Sequence, residues 1–590
     1  MRIDPTYGAT RVLRVGRIMI VMLSIVFIGM IARVAQLQTR PSAAIAGLLD
    51  SQKSTRHLMG RRGALLDRRG RPLAVTRVAH RLFIDPLLIR NRKTFPEHVA
   101  QELDYDPVWI EQMISARSSS RYVVIDHRIS DHRMNRLTDL NIPGLAIEPI
   151  LVRDYPQNVL AGQLVGFVGH DGGGLEGLER LFDPRLRPQP GMVEYLRDAQ
   201  YQPLWIESTA YQPQRDGQFV QLALDLRLQS IAQEHLAEAV TRYGAVSGQM
   251  IVMDPYSGEI LAMATHPSFD PAQFADLPAE IWRNRCVTDI FEPGSIFKPF
   301  VWSAVTELQV MNPQELVDCT TTGYWITPYG RRLRDARPKG LLTWDEVLVQ
   351  SSNIGMAKAA EKLTARQLFD IVSRFGFGQS TGSGLPGETD GVLHPHAVWT
   401  RYSQSSVPIG QEIGVSALQI TRAFCTFAND GLLIRPRVKI AHQNIPPNPI
   451  PVRVLSAAAA AKTRFVLRQV VAEGTGRKAN SKLYEIFGKT GTAQLPDFEN
   501  GGYHQNRYVS SFMAGAPYDQ PRLIVGCFIH QPDRAIGHYG GTVAAPAVMR
   551  VLEQSLLYLG VPPKTTDDTI NTPTLYAHGE SQSLDARTER

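Results

Sequence analysis

The chain has 590 residues, of which 43% are hydrophobic and 20% are charged. This length exceeds what a single hydrophobic core supports, so we expect two or more folded domains. The formal net charge is +7, with basic and acidic residues mixed along most of the chain, which argues against a dedicated nucleic-acid-binding protein.

The first predicted element is a membrane-spanning helix. An uncharged run covers residues 18–32, and the apolar character continues to about residue 38 if Arg33 places its charge at the membrane interface. A cleaved signal peptide is the alternative, but no small-x-small cleavage site follows the run. The sequence therefore predicts a short cytoplasmic tail over 1–17 and a single transmembrane anchor over 18–38, with the following chain outside the cytoplasm.

Two regions of different character follow the anchor. Residues 40–216 carry short alternating runs broken by Pro and Gly, which predicts an irregular domain that contains strands. A second domain is predicted over 218–562, beginning with a helix whose apolar residues share one face and then two strands around a Pro-Tyr-Ser-Gly turn. Residues 563–590 are polar and rich in Thr, Asp and Ser, which predicts a disordered tail.

The cysteines give no sign of a metal site. They show no C-x-x-C pair and no zinc spacing, and the sequence leaves open whether Cys286 and Cys319 form a disulfide. Cys425 and Cys527 stand in apolar runs, where a buried free thiol is expected. The histidines give no H-E-x-x-H motif, and we expect neither a metal nor another cofactor.

The stretch FEPGSIFKPF places Ser295 directly after a Pro-Gly pair and Lys298 three residues later. It predicts a helix that starts at Ser295, with the lysine amine within reach of the serine hydroxyl. A serine becomes a nucleophile when a base removes its proton, and lysine can be that base if burial or a second cation lowers its pKa. A helix-capping serine beside a surface lysine is the simpler interpretation of the motif alone.

Two later stretches carry further polar groups of the same kind. The first of two helical runs carries a capping-box pattern at Thr343 and Glu346. Between these runs, a loop can present the Ser351 hydroxyl beside the Asn353 amide, although S-x-N is most often a turn or a cap. The stretch GKTGTAQL places residues 489–492 on a strand-like run whose edge can bind an extended peptide. A turn between strands is the alternative for this second stretch.

The motifs S-x-x-K, S-x-N and K-T-G, in this order, are typical of penicillin-binding proteins and serine β-lactamases. From about residue 17 to 560 the chain resembles the class B penicillin-binding proteins, which are membrane-anchored peptidoglycan D,D-transpeptidases. Further stretches are also similar to those of the family, namely RRGALLDRRGRPLA, GGLEGLERLFDPRL, IGQEIGVSALQITRAF and HYGGTVAAP. The chain departs from the family at Asn158 and Gln163, where Gly and His are more frequent.

The resemblance implies an α+β fold. A penicillin-binding, serine β-lactamase-like transpeptidase domain, with an antiparallel sheet packed with helices, would stand on a β-rich N-terminal pedestal with one transmembrane helix. The AGAP and YGGTVAAP stretches are most similar to the division-specific, septal subgroup.

The resemblance also implies a role for each motif residue. Ser295 would attack the penultimate D-alanine of a stem peptide, with neutral Lys298 as the general base. Ser351 and Lys489 would relay the proton to the leaving amine. The substrate-binding residues would be Asn353 for the substrate amide, Thr490 and Thr492 for the terminal carboxylate, and Gly491 between them, with the N–H groups of Ser295 and Thr492 as the oxyanion hole.

Several partners follow from the same resemblance. Peptidoglycan stem peptides would be the substrates, β-lactams the inhibitors, and a membrane glycan-strand polymerase and division proteins the partners, at the bacterial inner membrane and without nucleic acid. A D,D-carboxypeptidase or a β-lactamase-type hydrolase shares the three motifs. The anchor and the long pedestal argue against this alternative, because a soluble drug-hydrolysing enzyme needs neither. A non-catalytic scaffold or β-lactam sensor is a third hypothesis, and the single predicted span argues against a sensor.

Overall fold

The computed structural model describes residues 5–40, 53–138, 142–197, 203–440, 449–497 and 499–564. Two compact units are present, one formed by Met1–Arg61 and Pro188–Gly217, the other by Arg62–Arg187 and Gln218–Arg590. Nearly all of the predicted tail over 563–590 lies outside the described residues.

The smaller unit contains one long helix and one small sheet. The helix is Pro5–Thr39, and its candidate membrane span, Arg11–Thr39, has a mean hydropathy of 2.5 in its most apolar window. Among the described residues it is the one helix long and apolar enough to cross a membrane. It begins well before residue 18 because the arginine-containing segment ahead of the apolar run is also helical. The antiparallel sheet has the strand order Lys53–Leu58, Gly191–Arg197, Pro203–Gln212.

A five-stranded antiparallel sheet forms the centre of the larger unit. Its strand order is Ile260–His266, Ser247–Met253, Leu523–His530, Tyr503–Ala516, Phe487–Pro496. Helices cover both faces, so alternate residues of the central strands enter two different cores. Met250 and Val252 pack with the first and last helices, whereas Ile251 and Met253 pack with the helices on the other face.

The helix and the strand pair predicted near the start of the second region are both present. The helix runs over Leu226–Arg242 with its predicted apolar face buried, namely Leu228, Ile231, Ala232, Leu236, Ala239 and Val240. The two strands predicted around the Pro-Tyr-Ser-Gly turn pair antiparallel. All four cysteines are buried and free, which includes Cys286 and Cys319.

The remaining strands of the larger unit form short sheets. One of these sheets has the strand order Val123–Asp126, Pro72–Ile84, Leu65–Leu66, Val220–Gln221. A fifth strand of this sheet, Leu145–Asp154, pairs with Pro72–Ile84. The two-stranded pairs are Leu316–Asp318 with Leu341–Thr343, Tyr324–Ile326 with Arg332–Arg334, Val392–Leu393 with Ile413–Gly414, and Leu432–Leu433 with Val452–Arg453.

The helices of the larger unit follow in chain order. The α-helices are Phe95–Leu103, Pro107–Ala116, Asp131–Thr138, Gly162–Val165, Gly177–Leu181, Asp183–Leu186, Leu226–Arg242, Ala279–Trp282, Arg285–Thr288, Lys298–Glu307, Trp344–Val349, Asn353–Ala360, Ala365–Arg374, Ser403–Ser406, Ala417–Phe424, Ala457–Ala472, Gly540–Val543 and Ala545–Tyr558. The 3₁₀ turns are Pro86–Leu88, Pro271–Asp276, Gly294–Phe297, His396–Val398, Val407–Ile409, Cys425–Phe427 and Arg477–Ala479.

The stretch RRGALLDRRGRPLA is joined to the first helix of the sheet region by a buried ionic network. The guanidinium of Arg71 lies 2.6 Å from Asp67 and 2.9 Å from Asp225, the residue that caps the helix Leu226–Arg242. Asp67 also accepts a hydrogen bond from the backbone N–H of Leu226. Burial by itself would raise the pKa of Asp67, but Arg71 and the backbone donors outweigh burial and hold it below its usual value.

The two departures from the family pattern have local explanations. Asn158 has a φ of 48°, in the left-handed region that glycine adopts readily and asparagine tolerates better than most residues. Gln163 is buried, and its amide donates to the backbone carbonyls of Pro267 and Ile281 at 2.8 and 3.1 Å. Each substitute therefore satisfies the backbone geometry or the hydrogen bonds of its position.

The ionic network generates a prediction about stability. Asp67→Asn removes a buried charge that Arg71 and three backbone N–H groups require, so unfolding should become easier by about 2 to 3 kcal/mol at pH 7. Because the pKa of Asp67 is lowered in the folded state, this difference should shrink as the pH falls below about 4. Urea unfolding of the detergent-solubilised protein at both pH values measures it.

The exposed Asp519 provides the control. Asp519→Asn removes the same charge from a surface position and should change the free energy of unfolding by less than about 0.5 kcal/mol. Equal effects of the two substitutions would contradict a structural role for the network.

Candidate active site

Ser295 and Lys298 lie on one continuous helical turn. A 3₁₀ turn, Gly294–Phe297, leads directly into the α-helix Lys298–Glu307, so the helical segment begins one residue before the predicted start. Gly294 has a φ of 56°, which accounts for the glycine in front of the serine. Residues three apart on such a turn lie one above the other, which places the half-buried Ser295 on the same side as Lys298.

The hydroxyl of Ser351 lies between two lysine amines. The Nζ of Lys298 is 3.2 Å from this Oγ, and the Nζ of Lys489 is 2.9 Å from it. Lys298 also donates to the carbonyl of Ser351 at 2.8 Å and to the Oδ1 of Asn353 at 2.7 Å, while Lys489 donates to the carbonyl of Thr490. The structure therefore brings the three sequence motifs together around one hydroxyl.

Both lysines are completely buried, and their pKa values fall for that reason. Burial lowers the pKa of Lys298 to about 7, with Asp335 opposing and Lys339 adding to this effect. Burial also lowers the pKa of Lys489 well below its usual value, and the positive charges of Lys298 and Lys339 lower it further. Near neutral pH, a large fraction of Lys298 is therefore a neutral amine that can accept a proton.

Ser351 occupies a sharp corner between two helices. The first helix, Trp344–Val349, begins with the predicted capping box of Thr343 and Glu346, and the second begins at Asn353 with Ser352 as its cap. Ser351 itself has a φ of 57°, which is unfavourable for a residue with a Cβ. Such strain persists where the surroundings enforce it, and it is common at functional sites.

The motif Lys489 to Thr492 lies inside the strand Phe487–Pro496, so the alternative of a turn between strands is wrong. This strand ends the described order of the sheet, and it pairs with Tyr503–Ala516 on one side. Gly491 lets it pack close to the serine turn, because a Cβ there would lie 2.9 Å from the Cγ2 of Ile296. The strand therefore presents a backbone edge beside Ser295.

The two threonines of this strand have different partners. The Oγ1 of Thr490 lies 2.8 Å from that of Thr475, and the Oγ1 of Thr492 accepts from the N–H of Gly540 at 3.0 Å. Gly540 belongs to the HYGG stretch, and a Cβ there would lie 2.1 Å from the carbonyl of Gly491. Glycine is thus required where this stretch crosses the strand.

Sequence reasoning missed three nearby residues. Lys339 donates to the backbone carbonyl of Gln350, next to Ser351, and burial lowers the pKa of its amine. Thr475 contacts Thr490, and Asp335 is close enough to influence Lys298. None of them belongs to a recognisable motif, so only the folded structure identifies them. Within the described part of the chain, no group of three or more His, Cys, Asp or Glu side chains could hold a metal ion.

Comparison with known families gives two matches along the chain. Residues 248–553 match the penicillin binding protein transpeptidase domain, and residues 57–222 match the penicillin-binding protein dimerisation domain. These matches agree with the predicted α+β transpeptidase fold preceded along the chain by a different N-terminal region.

Individual relatives match most of the chain. Stage V sporulation protein D of Bacillus subtilis is 33% identical over 517 residues, which cover 85% of this chain and 79% of the relative. Peptidoglycan D,D-transpeptidase FtsI of Escherichia coli is 30% identical, covering 86% of this chain and 85% of the relative.

A solved structure agrees with this result. The crystal structure of penicillin binding protein 3 from Mycobacterium tuberculosis, complexed with aztreonam, superimposes with a TM-score of 0.66 at 27% identity. The match covers 86% of this chain and 98% of that one. With a transpeptidase domain over more than half of its length and relatives of this identity, the chain belongs to the class B penicillin-binding proteins.

Proposed function

We propose that the protein is a peptidoglycan D,D-transpeptidase that cross-links stem peptides through an acyl-enzyme on Ser295 in septal cell-wall synthesis. The observation that carries this proposal is the Ser351 hydroxyl held between two buried lysines, one of them on the turn of Ser295. The names of relatives support it, because those from Escherichia coli and Pseudomonas aeruginosa are called peptidoglycan D,D-transpeptidases or probable ones.

Acylation begins with removal of the proton from Ser295. Neutral Lys298 accepts this proton, and the Oγ forms a bond to the carbonyl carbon of the penultimate D-alanine. As the peptide C–N bond breaks, a proton passes through the Ser351 hydroxyl to the departing amine, with Lys489 on the other side of that hydroxyl. The terminal D-alanine leaves, and the donor peptide stays on Ser295 as an ester.

The strand Phe487–Pro496 holds the donor peptide in this scheme. Asn353 binds a substrate amide, and the hydroxyls of Thr490 and Thr492 bind the terminal carboxylate. The N–H groups of Ser295 and Thr492 form the oxyanion hole, where one donor contributes about 3 to 4 kcal/mol to the stabilisation of the transition state.

An amine of a second stem peptide then resolves the ester. Its nitrogen bonds to the carbonyl carbon and gives up a proton, the bond to the Oγ of Ser295 breaks, and the Oγ takes up a proton to regenerate the serine. β-Lactams would acylate the same serine and block this step. The solved relatives from Mycobacterium tuberculosis are complexed with aztreonam and with ampicillin, which supports this part of the proposal.

The long N-terminal helix fits a single-pass anchor in the bacterial inner membrane. We place the tail over 1–17 in the cytoplasm and the span over 18–38 in the membrane. The pedestal over 40–216 and the transpeptidase domain over 218–562 then lie outside the cytoplasm. A membrane glycan-strand polymerase and division proteins are the proposed partners.

Labelling with a fluorescent penicillin tests the nucleophile. The wild-type protein should become covalently labelled on Ser295, and Ser295→Ala should lose the label, as read by gel fluorescence and peptide mapping. Ser303→Ala is the matched control, because Ser303 is a buried serine on the same helix whose hydroxyl only donates to the carbonyl of Phe300.

Three outcomes would count against the proposal. A folded wild-type protein that takes up no label would exclude an acyl-enzyme on Ser295. Rapid release of the label would favour a hydrolase, and normal cross-linking in cells that carry Ser295→Ala would favour a scaffold.

The pKa of Lys298 predicts how acylation depends on pH. The rate should rise with pH through a midpoint near 7, because only the neutral amine accepts the serine proton. Lys298→Arg keeps a positive charge that does not dissociate and should slow acylation by about 100-fold or more at every pH. Stopped-flow acylation between about pH 5.5 and 9 measures both effects.

Lys358→Arg is the control for this experiment. Lys358 lies on the helix Asn353–Ala360 and pairs with Asp318 near the surface, so its rate profile should match that of the wild type. A flat profile for the wild-type protein would contradict a lysine base.

A further inference from the structure

We propose that Asp335 is a positioning residue, which holds the Ser351–Asn353 corner in the geometry that acylation of Ser295 requires. The inference rests on the proposed function and concerns the same site. Asp335 follows the hairpin of Tyr324–Ile326 and Arg332–Arg334 and belongs to none of the three motifs.

The carboxylate of Asp335 binds three donors at the corner. It accepts hydrogen bonds from the Oγ of Ser352 at 2.6 Å, from the N–H of Asn353, and from the N–H of Ile354 at 3.3 Å. These groups form the N-terminus of the helix Asn353–Ala360, where a negative charge is favourable and backbone donors lack partners within the helix. One carboxylate therefore fixes the start of the helix that carries Asn353.

The residues on either side of Asp335 hold further parts of the corner. The carbonyl of Arg334 accepts from the Nδ2 of Asn353 at 2.8 Å, which turns the Oδ1 of that amide toward Lys298. Lys339 donates to the carbonyl of Gln350, just before Ser351. The segment 334–339 thus contacts the chain both before and after Ser351.

This support is needed because Ser351 has an unfavourable backbone conformation. The left-handed conformation is strained for a residue with a Cβ, so a free loop would relax away from it. Relaxation would carry the Ser351 hydroxyl away from Lys298 and Lys489. A displacement of about 1 Å at a catalytic group can cost about 100-fold in rate.

Asp335 also influences the base electrostatically. The charged and titratable groups that shift the pKa of Lys298 are Asp335, Lys339 and the thiol of Cys319. The amine of Lys489 donates to the same Ser351 hydroxyl as the amine of Lys298. The negative charge of Asp335 raises the pKa of Lys298 against the effect of burial. Removing that charge should lower this pKa, so Lys298 would become neutral at a lower pH.

The two effects give Asp335→Asn a distinctive pH profile. Acylation by a fluorescent penicillin is measured against pH with the full-length, detergent-solubilised protein. The plateau rate at high pH should fall by about 10- to 100-fold. The midpoint of the acid limb should move to lower pH by about half a unit or more.

A second variant separates position from charge. Asp335→Glu keeps the negative charge but moves the carboxylate by one methylene, so the plateau should fall while the midpoint stays closer to that of the wild type. It also tests the inference if Asp335→Asn does not fold. Thermal unfolding of each variant shows that the protein measured is folded.

Asp318→Asn is the matched control. Asp318 ends the nearby strand Leu316–Asp318, and its exposed carboxylate lies 3.6 Å from Lys358. The substitution changes the net charge equally without touching the Ser351–Asn353 corner, so the plateau and the midpoint should both stay at wild-type values.

The outcomes distinguish this inference from the proposed function. A folded Asp335→Asn protein with the wild-type plateau rate of acylation would overturn the inference about Asp335. A lower plateau rate with an unmoved midpoint pH would also overturn it, because that result indicates a purely structural role. A wild-type protein that is not acylated at all would instead overturn the proposed function.

Discussion

The burial of two lysine amines around one serine hydroxyl is the interaction on which the rest of the site depends. A charged ammonium is strongly stabilised by water, so a fully buried lysine is tolerated when it becomes neutral or finds several acceptors. Lys298 and Lys489 meet both conditions through Ser351 and its neighbours. The same burial that makes these residues costly to fold lowers the pKa of Lys298 to about 7, which is what the proposed general base requires.

The architecture supplies that burial from three separate directions. The helix Lys298–Glu307 lies in the core on one face of the sheet, and the strand Phe487–Pro496 forms the described end of the same sheet. The corner at Ser351 approaches from a third segment, held by the residues that follow the hairpin. Close packing of these parts depends on Gly491, where any side chain would collide with the serine turn or with the neighbouring strand. A rigid sheet and two helix ends therefore fix the distances within the site.

Local sequence patterns predicted much of this fold. The apolar face of Leu226–Arg242, the strand pair around Pro-Tyr-Ser-Gly and the capping box at Thr343 all depend on contacts between residues close in sequence. The patterns failed where a contact spans many residues. Lys339 stands in a stretch that looks exposed, yet its side chain is partly buried and donates to the carbonyl of Gln350, eleven residues along the chain.

What the sequence determined by itself was the set of candidate reactive groups and their order along the chain. The spacing of Ser295 and Lys298 on one turn is a local property, and the three motifs in their order, together with the other similar stretches, indicated the family. The tertiary structure alone decided that the lysines are buried, that burial has the largest effect on the pKa of Lys298, and that Asp335 holds the corner. Burial and electrostatics depend on every group packed nearby, whatever its position along the chain, and no local pattern contains that information.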